Sequence, residues 1–190
     1  MLMTNAFAKM RGAAAIGVLM AGGFICVPVY AGAQEVATAA PTVLTVQGTS
    51  TAPVTLTAED LGKMPRTTAT LTSEGKSADG KPAEVKTTTY EGVLLYDILV
   101  KAGWQFGHGM TGKGMASYVV ATGKDGYQVV FSMGEIDPMF GGEKLMLADK
   151  ANGAALTGRE APFRMVAPGE KMHARSIFGV VKLEVVRLRN

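Results

Sequence analysis

Short apolar segments separated by polar turns recur along residues 43–190, and most of them have the length and polarity pattern of β-strands. Two of these segments flank the turn sequence Gly-Lys-Asp-Gly at residues 123–126, which is typical of a β-hairpin. Another pair flanks the Gly-, Ser- and Lys-containing stretch 73–82 and predicts a hairpin with a long tip. Strands are predicted at residues 43–46, 66–72, 83–89, 116–121, 127–131, 145–148, 163–167 and 180–188.

Helical periodicity is confined to short stretches. Residues 93–102 place Leu94, Leu95, Ile98 and Leu99 on one face, and the following glycine is a natural C-terminal stop. Residues 57–60 and 132–135 have the spacing of an N-terminal capping box, so each predicts the start of a short helix. A strand-rich chain with three short helices predicts an α+β domain with mixed β-sheets.

The first 33 residues have the pattern of a secretory signal peptide. Lys9 and Arg11 precede an uncharged apolar run from Gly12 to Val29, and Ala-Gly-Ala at 31–33 offers a cleavage site. A membrane anchor is the alternative, but a run rich in Gly and Ala followed by small residues favours removal. We therefore predict a signal peptide at 1–33, a flexible leader at 34–42 and one domain at 43–190. The protein is expected to be periplasmic or secreted, with no membrane attachment after signal removal.

Charge and cysteine content narrow the function. Lys9 and Arg11 account for two of the 19 basic residues, so the processed chain has 17 against 16 acidic ones and a net charge of about +1. This balance argues against nucleic acid as a partner. The only cysteine, Cys26, lies in the predicted signal peptide, so the domain is expected to have no disulfide, thiol nucleophile or thiolate metal ligand.

Two local patterns are weak. Residues 107–112, GHGMTG, match G-x-G-x-x-G, but a helix is predicted before them and a strand after them, so we predict a glycine-rich surface loop. Methionines and the two histidines, His108 and His173, suggest soft metal ligation. Because the histidines have no fixed spacing and most methionines lie in apolar segments, no metal site is predicted.

Basic residues are concentrated near the C-terminus, where residues 159–176 read REAPFRMVAPGEKMHARS. One interpretation is a strand and loop whose charges face water, with Arg164 paired to Glu160 or Glu91. In that interpretation Tyr127, elsewhere in the chain, is an ordinary hairpin residue. The other interpretation is a socket for an anion.

Five segments, taken in order, resemble one known family. They are LTAEDLGKMP (56–65), YEGVLLYDILVKAG (90–103), DGYQVVFS (125–132), LMLADKANGAAL (145–156) and APFRMVAPGEKMHARSI (161–177). Together they are similar to the molybdopterin-binding domain of the sulfite oxidase family, in its small exported single-domain form. The resemblance covers residues 43–188 and implies that family's compact α+β fold.

The resemblance also implies which residues hold the pterin cofactor. The arginine of the family's G-x-P-x-R segment falls on Arg164, the position five residues earlier is Arg159, and a later basic position is Arg175, or Ser176 if the alignment shifts by one. Guanidinium groups suit phosphate because they offer paired donors and stay charged. Tyr127 falls where the family presents a catalytic tyrosine. The predicted cofactor-binding residues are Arg159, Arg164, Lys171, His173 and Arg175.

The family's molybdenum-ligating cysteine has no counterpart. The resemblance implies that this ligand comes from the segment after the first helix, which here reads RTTATLTSEGK (66–76) and offers only hydroxyls, at Thr70, Thr72 or Ser73. Hydroxyls are harder ligands and normally protonated. The sequence therefore favours binding of a pterin or related anion without cysteine-ligated molybdenum. A genuine molybdenum-dependent oxidoreductase and a cofactor-free module for a periplasmic protein partner remain as alternatives.

Overall fold

A computed structural model describes residues 43–48, 52–76 and 82–188 of the chain, which fall within one compact unit running from Ala39 to Asn190. The predicted signal peptide and leader lie outside these described residues. Among the described residues, no helix combines the length and apolar character that crossing a membrane requires.

The domain consists of ten strands and four short α-helices in the described residues. Two 3₁₀ turns lie at Gly107–Gly109 and His173–Arg175. The strands are β1 (Val43–Gln47), β2 (Val54–Thr57), β3 (Thr67–Lys76), β4 (Pro82–Leu94), β5 (Ser117–Gly123), β6 (Gln128–Ser132), β7 (Met146–Ala151), β8 (Ala154–Ala155), β9 (Arg164–Val166) and β10 (Val180–Arg187). The helices are α1 (Ala58–Gly62), α2 (Leu95–Lys101), α3 (Gly112–Met115) and α4 (Met133–Ile136).

The strands form two five-stranded sheets. The first has the order β2-β1-β10-β5-β6, with β1 and β10 parallel and the other neighbours antiparallel. The second has the order β3-β4-β7-β8, and β9 also pairs with β7. Strands β1 and β10 come from opposite ends of the domain sequence, so their pairing joins the N-terminal and C-terminal parts of the domain in one sheet.

One main core joins the first sheet to α2 and to strands of the second sheet. Phe131 of β6, Ile98 of α2, Leu147 of β7 and Met165 of β9 are all buried in it. Alternation along β6 explains how one strand serves both core and surface, since Val129 and Phe131 are buried while Gln128, Val130 and Ser132 are exposed. A smaller cluster around Tyr90 and Val166 covers the second sheet.

The structure confirms the predicted α+β fold with mixed sheets, all eight predicted strands and both capping boxes' helix starts. Strands β2 and β8 were missed because they are only four and two residues long. The predicted start of α2 at residue 93 is wrong, since Val93 and Leu94 still pair with β7. The count of three helices is also wrong, because the glycine-rich segment continues into α3.

Candidate functional site

Three connections meet to form a pocket of about 170 Å³. They are the β5–β6 hairpin, the loop between β8 and β9, and the loop between β9 and β10. The pocket brings together Tyr127, Arg159 and His173, three of the six residues that the sequence predicts for the site. Its full lining consists of Asp125, Tyr127, Arg159, His173, Ala174, Ser176, Ile177 and Phe178.

Lys124 fixes the hairpin to the loop that carries Arg159. Its ammonium group donates hydrogen bonds to the carbonyl oxygens of Gly158, at 2.8 Å, and Ala161, at 2.9 Å. Its backbone N–H donates to the carbonyl of Gly179 at 2.8 Å. Gly158 has a φ of +58°, a conformation that glycine adopts without steric cost, so the chain turns sharply just before Arg159. The Lys124 contacts therefore hold the backbone just before and just after Arg159.

Arg159 is the most available cation of the pocket. Its side chain is 72% exposed, and its contact with the Asp125 carboxylate is long, at 3.9 Å. The guanidinium lies over the Phe178 ring, 4.5 Å from the ring centroid. Exposed ion pairs of this kind contribute little, so the charge is free to bind another anion.

Arg164 lies outside the pocket lining and is buried. One of its guanidinium nitrogens donates to the Glu160 carboxylate and to the Tyr90 hydroxyl, and its charge lies 4.4 Å from the centroid of the Phe178 ring. Burial raises the pKa of the Tyr90 phenol, which keeps that group a neutral partner. The structure thus shows the Arg164–Glu160 ion pair of the first interpretation, and Arg164 is not among the residues that line the pocket.

Arg175 and Lys171 also stand apart from the pocket lining. The Arg175 guanidinium donates to Glu170 at 2.6 Å and to Glu135 at 2.9 Å, and it lies 4.8 Å from the Phe131 ring centroid. Two carboxylates therefore neutralise its charge. Lys171 is exposed in the same loop.

His173 connects the pocket to strand β3 of the second sheet. Its Nε2 donates to the Thr72 carbonyl oxygen at 2.8 Å, because a carbonyl can only accept. Its Nδ1 is buried and has no hydrogen-bond partner among the described residues. Ser73, the next residue of β3, is exposed and its hydroxyl donates to the Lys86 carbonyl at 3.3 Å. The described residues contain no cluster of three or more acidic, histidine or cysteine side chains suited to a metal ion.

Tyr127 is at the rim of the pocket. Its side chain is half exposed, its hydroxyl donates to the Ala174 carbonyl at 3.2 Å, and its backbone N–H donates to Asp125. The hydroxyl therefore ties the hairpin to the β9–β10 loop as well as facing the pocket. Sequence reasoning missed Asp125 and Phe178, since a turn aspartate and a lone phenylalanine carry no pattern that points to a site.

Comparison with known proteins identifies the family. A family model described as "Oxidoreductase molybdopterin binding domain" matches residues 32–188, so the chain belongs to that family. The sulfane dehydrogenase SoxCD from Paracoccus pantotrophus has a similar crystal structure, with a TM-score of 0.58 and 23% sequence identity. The similarity covers 78% of this chain and 39% of the SoxCD chain, so this chain spans well under half of that protein's length. A similarity at this level of identity shows a shared fold. No curated protein sequence matches.

Proposed function

We propose that this member of the molybdopterin-binding domain family is exported, loses residues 1–33, and binds the phosphate end of a pterin cofactor or a related small anion. The binding site is the pocket lined by Tyr127, Arg159, His173 and Phe178. In the proposal the domain holds no cysteine-ligated molybdenum. A bound molybdenum cofactor would itself supply any redox chemistry, and the protein would supply binding and orientation.

The observation that carries the proposal is that Arg159, an exposed and loosely paired guanidinium, lies on one pocket with Tyr127 and His173. An anion must compete with Asp125 for this charge. The existing pair is worth less than about 1 kcal/mol because it is long and solvated. A phosphate can instead take two parallel hydrogen bonds from the guanidinium, which are charge-assisted and stronger. Contact of Arg159 with a phosphate is therefore favoured over its long ion pair with Asp125.

The size of the pocket limits what enters it. Pockets that enclose a whole small molecule usually have about 300–1,000 Å³, whereas this pocket has about 170 Å³. The phosphate end of a pterin cofactor therefore suits this pocket better than the complete cofactor would.

The donor set disfavours thiolate-ligated molybdenum. Residues 43–190 contain no cysteine. The hydroxyl of Ser73 and the Thr72 backbone next to His173 are harder donors than a thiolate. The contact between His173 and the Thr72 carbonyl nevertheless favours the alternative, a genuine molybdenum-dependent oxidoreductase, because it brings a hydroxyl-rich segment beside the pocket.

The first experiment is to isolate the protein from the periplasm of a molybdenum-replete host expressing the full chain. Mass spectrometry of the purified protein tests export, and we expect a chain that begins after Ala33. Metal analysis and the fluorescence of the oxidised pterin then measure cofactor content. We expect pterin without stoichiometric molybdenum. Stoichiometric molybdenum would favour the oxidoreductase, and absence of both would favour a protein partner.

A matched pair of variants tests the pocket itself. Arg159→Gln removes an exposed cation from the pocket, and Lys63→Gln removes an equally exposed cation, also in one surface ion pair, from the end of α1. Calorimetric titration with inorganic phosphate should show binding weakened about tenfold or more in Arg159→Gln, since a charge-assisted contact is lost. Lys63→Gln should bind as the unmodified protein does. Equal affinities in both variants would contradict the proposal.

A further inference from the structure

A second cavity of about 280 Å³ lies between α2, β1, β10 and the chain from residue 102 to 114. None of its lining residues belongs to the anion pocket. Its apolar wall consists of Val46 of β1, Leu99 of α2, Val185 of β10 and the loop residue Met110. The volume lies just under the range of pockets that enclose small molecules, so the cavity suits a compact ligand.

The glycine-rich segment that sequence reasoning left without a role forms part of this wall. Gly109, Met110 and Thr111 all line the cavity, and so does Gly114 of α3. A Cβ at Gly114 would lie 2.5 Å from the Met110 side chain, so only glycine leaves room for Met110 at this place. The segment therefore shapes an apolar cavity and is no phosphate loop.

The polar groups of the cavity point to the charge of its ligand. Arg187, near the end of β10, lines the cavity and makes no salt bridge with the described residues. Trp104 also lines it. A guanidinium can only donate hydrogen bonds. The lining contains no acidic residue, so its polar groups favour an acceptor that carries negative charge.

We propose that this cavity is a second binding site, for a small carboxylate with an apolar body. The apolar part lies against Val46, Leu99, Met110 and Val185, and the carboxylate faces Arg187. The site is independent of the anion pocket and of the proposed function.

Trp104 provides the measurement, because it is the only tryptophan in the chain. Octanoate is titrated into the purified protein while Trp104 emission is recorded, and calorimetry gives the stoichiometry. We expect a saturable change with one octanoate per chain. Octanol, which has the same chain without the charge, should bind at least about tenfold more weakly, since it loses the charge-assisted contact.

Two variants and one control decide the outcome. Arg187→Gln, at an exposed position, should weaken octanoate binding about tenfold or more and leave octanol binding unchanged. Ala102→Leu fills part of the cavity and should abolish binding. Arg159→Gln, in the other pocket, should bind octanoate normally. The proposal is overturned if octanoate gives no saturable signal by either method, or if Arg187→Gln binds octanoate as tightly as the unmodified protein.

Discussion

Replacing Arg164 by methionine tests whether this arginine supports the fold or holds a ligand. Methionine keeps the length and apolar part of the side chain but removes the charge and its hydrogen bonds. In the structure that charge contacts Glu160, the Tyr90 hydroxyl and the face of Phe178. The variant would leave the Glu160 carboxylate, which is 28% exposed, without its cation.

The expected loss follows from burial. The Arg164 side chain is 10% exposed and that of Glu160 is 28% exposed, so the pair is only partly buried. Removal of one partner should therefore cost less than the roughly 3–5 kcal/mol of a fully buried pair, on the order of 2 kcal/mol. For a domain of this size each 1 kcal/mol lowers the melting temperature by about 2–4 °C. We therefore expect a melting temperature at least about 4 °C lower. Arg159→Met is the matched control, since its 72% exposed side chain and long contact predict a loss below about 1 kcal/mol.

Urea unfolding followed by circular dichroism gives the free energy of unfolding of each variant. A double-mutant cycle with Glu160→Gln isolates the pair itself, and we expect a coupling of about 1–3 kcal/mol. The double variant should recover part of the stability, because it leaves no unpaired buried charge. If Arg164→Met unfolds within about 1 kcal/mol of Arg159→Met, the reasoning from burial is wrong. If Arg164→Met stays stable but loses phosphate binding, Arg164 belongs to the ligand site.

Two further predictions concern backbone packing and pH. A Cβ at Gly92 would overlap the Leu147 carbonyl oxygen, so Gly92→Ala should destabilise the domain by about 1–3 kcal/mol or more. Gly62 has open space around it, so Gly62→Ala should stabilise the domain by about 0.5–1 kcal/mol. Equal urea midpoints for the two variants would contradict this prediction. A hydrogen bond from Arg66 lowers the pKa of Glu91 below its usual value of 4.5. The contribution of the Glu91 carboxylate to the stability of the folded domain is therefore complete above pH 4.5, and it is lost as the pH falls through the lowered pKa. The difference in unfolding free energy between the unmodified protein and Glu91→Gln should therefore be largest above pH 4.5 and shrink as the pH falls below it. A difference that stays constant with pH would refute the assignment.

Local signals in the sequence were sufficient for most of the architecture. The short apolar run at residues 129–131 indicates β6, and the Gly-Lys-Asp-Gly turn indicates its hairpin with β5, because both signals depend only on residues close in the chain. The absence of cysteine from residues 43–190 is likewise a property of the sequence alone. Five ordered segments were enough to indicate the family, which the match over residues 32–188 confirms.

Tertiary structure alone decided which basic residues share a pocket. Arg159, Arg164 and Arg175 are similar in sequence context, yet Arg164 is paired with Glu160 and Arg175 bridges Glu170 and Glu135, while Arg159 is loosely paired on the pocket. Charge availability depends on burial and on partners up to 40 residues away, which no spacing rule reports. The parallel pairing of β1 with β10, and the cavity that includes residues of both, are equally invisible in the sequence, because each joins segments from opposite ends of the domain.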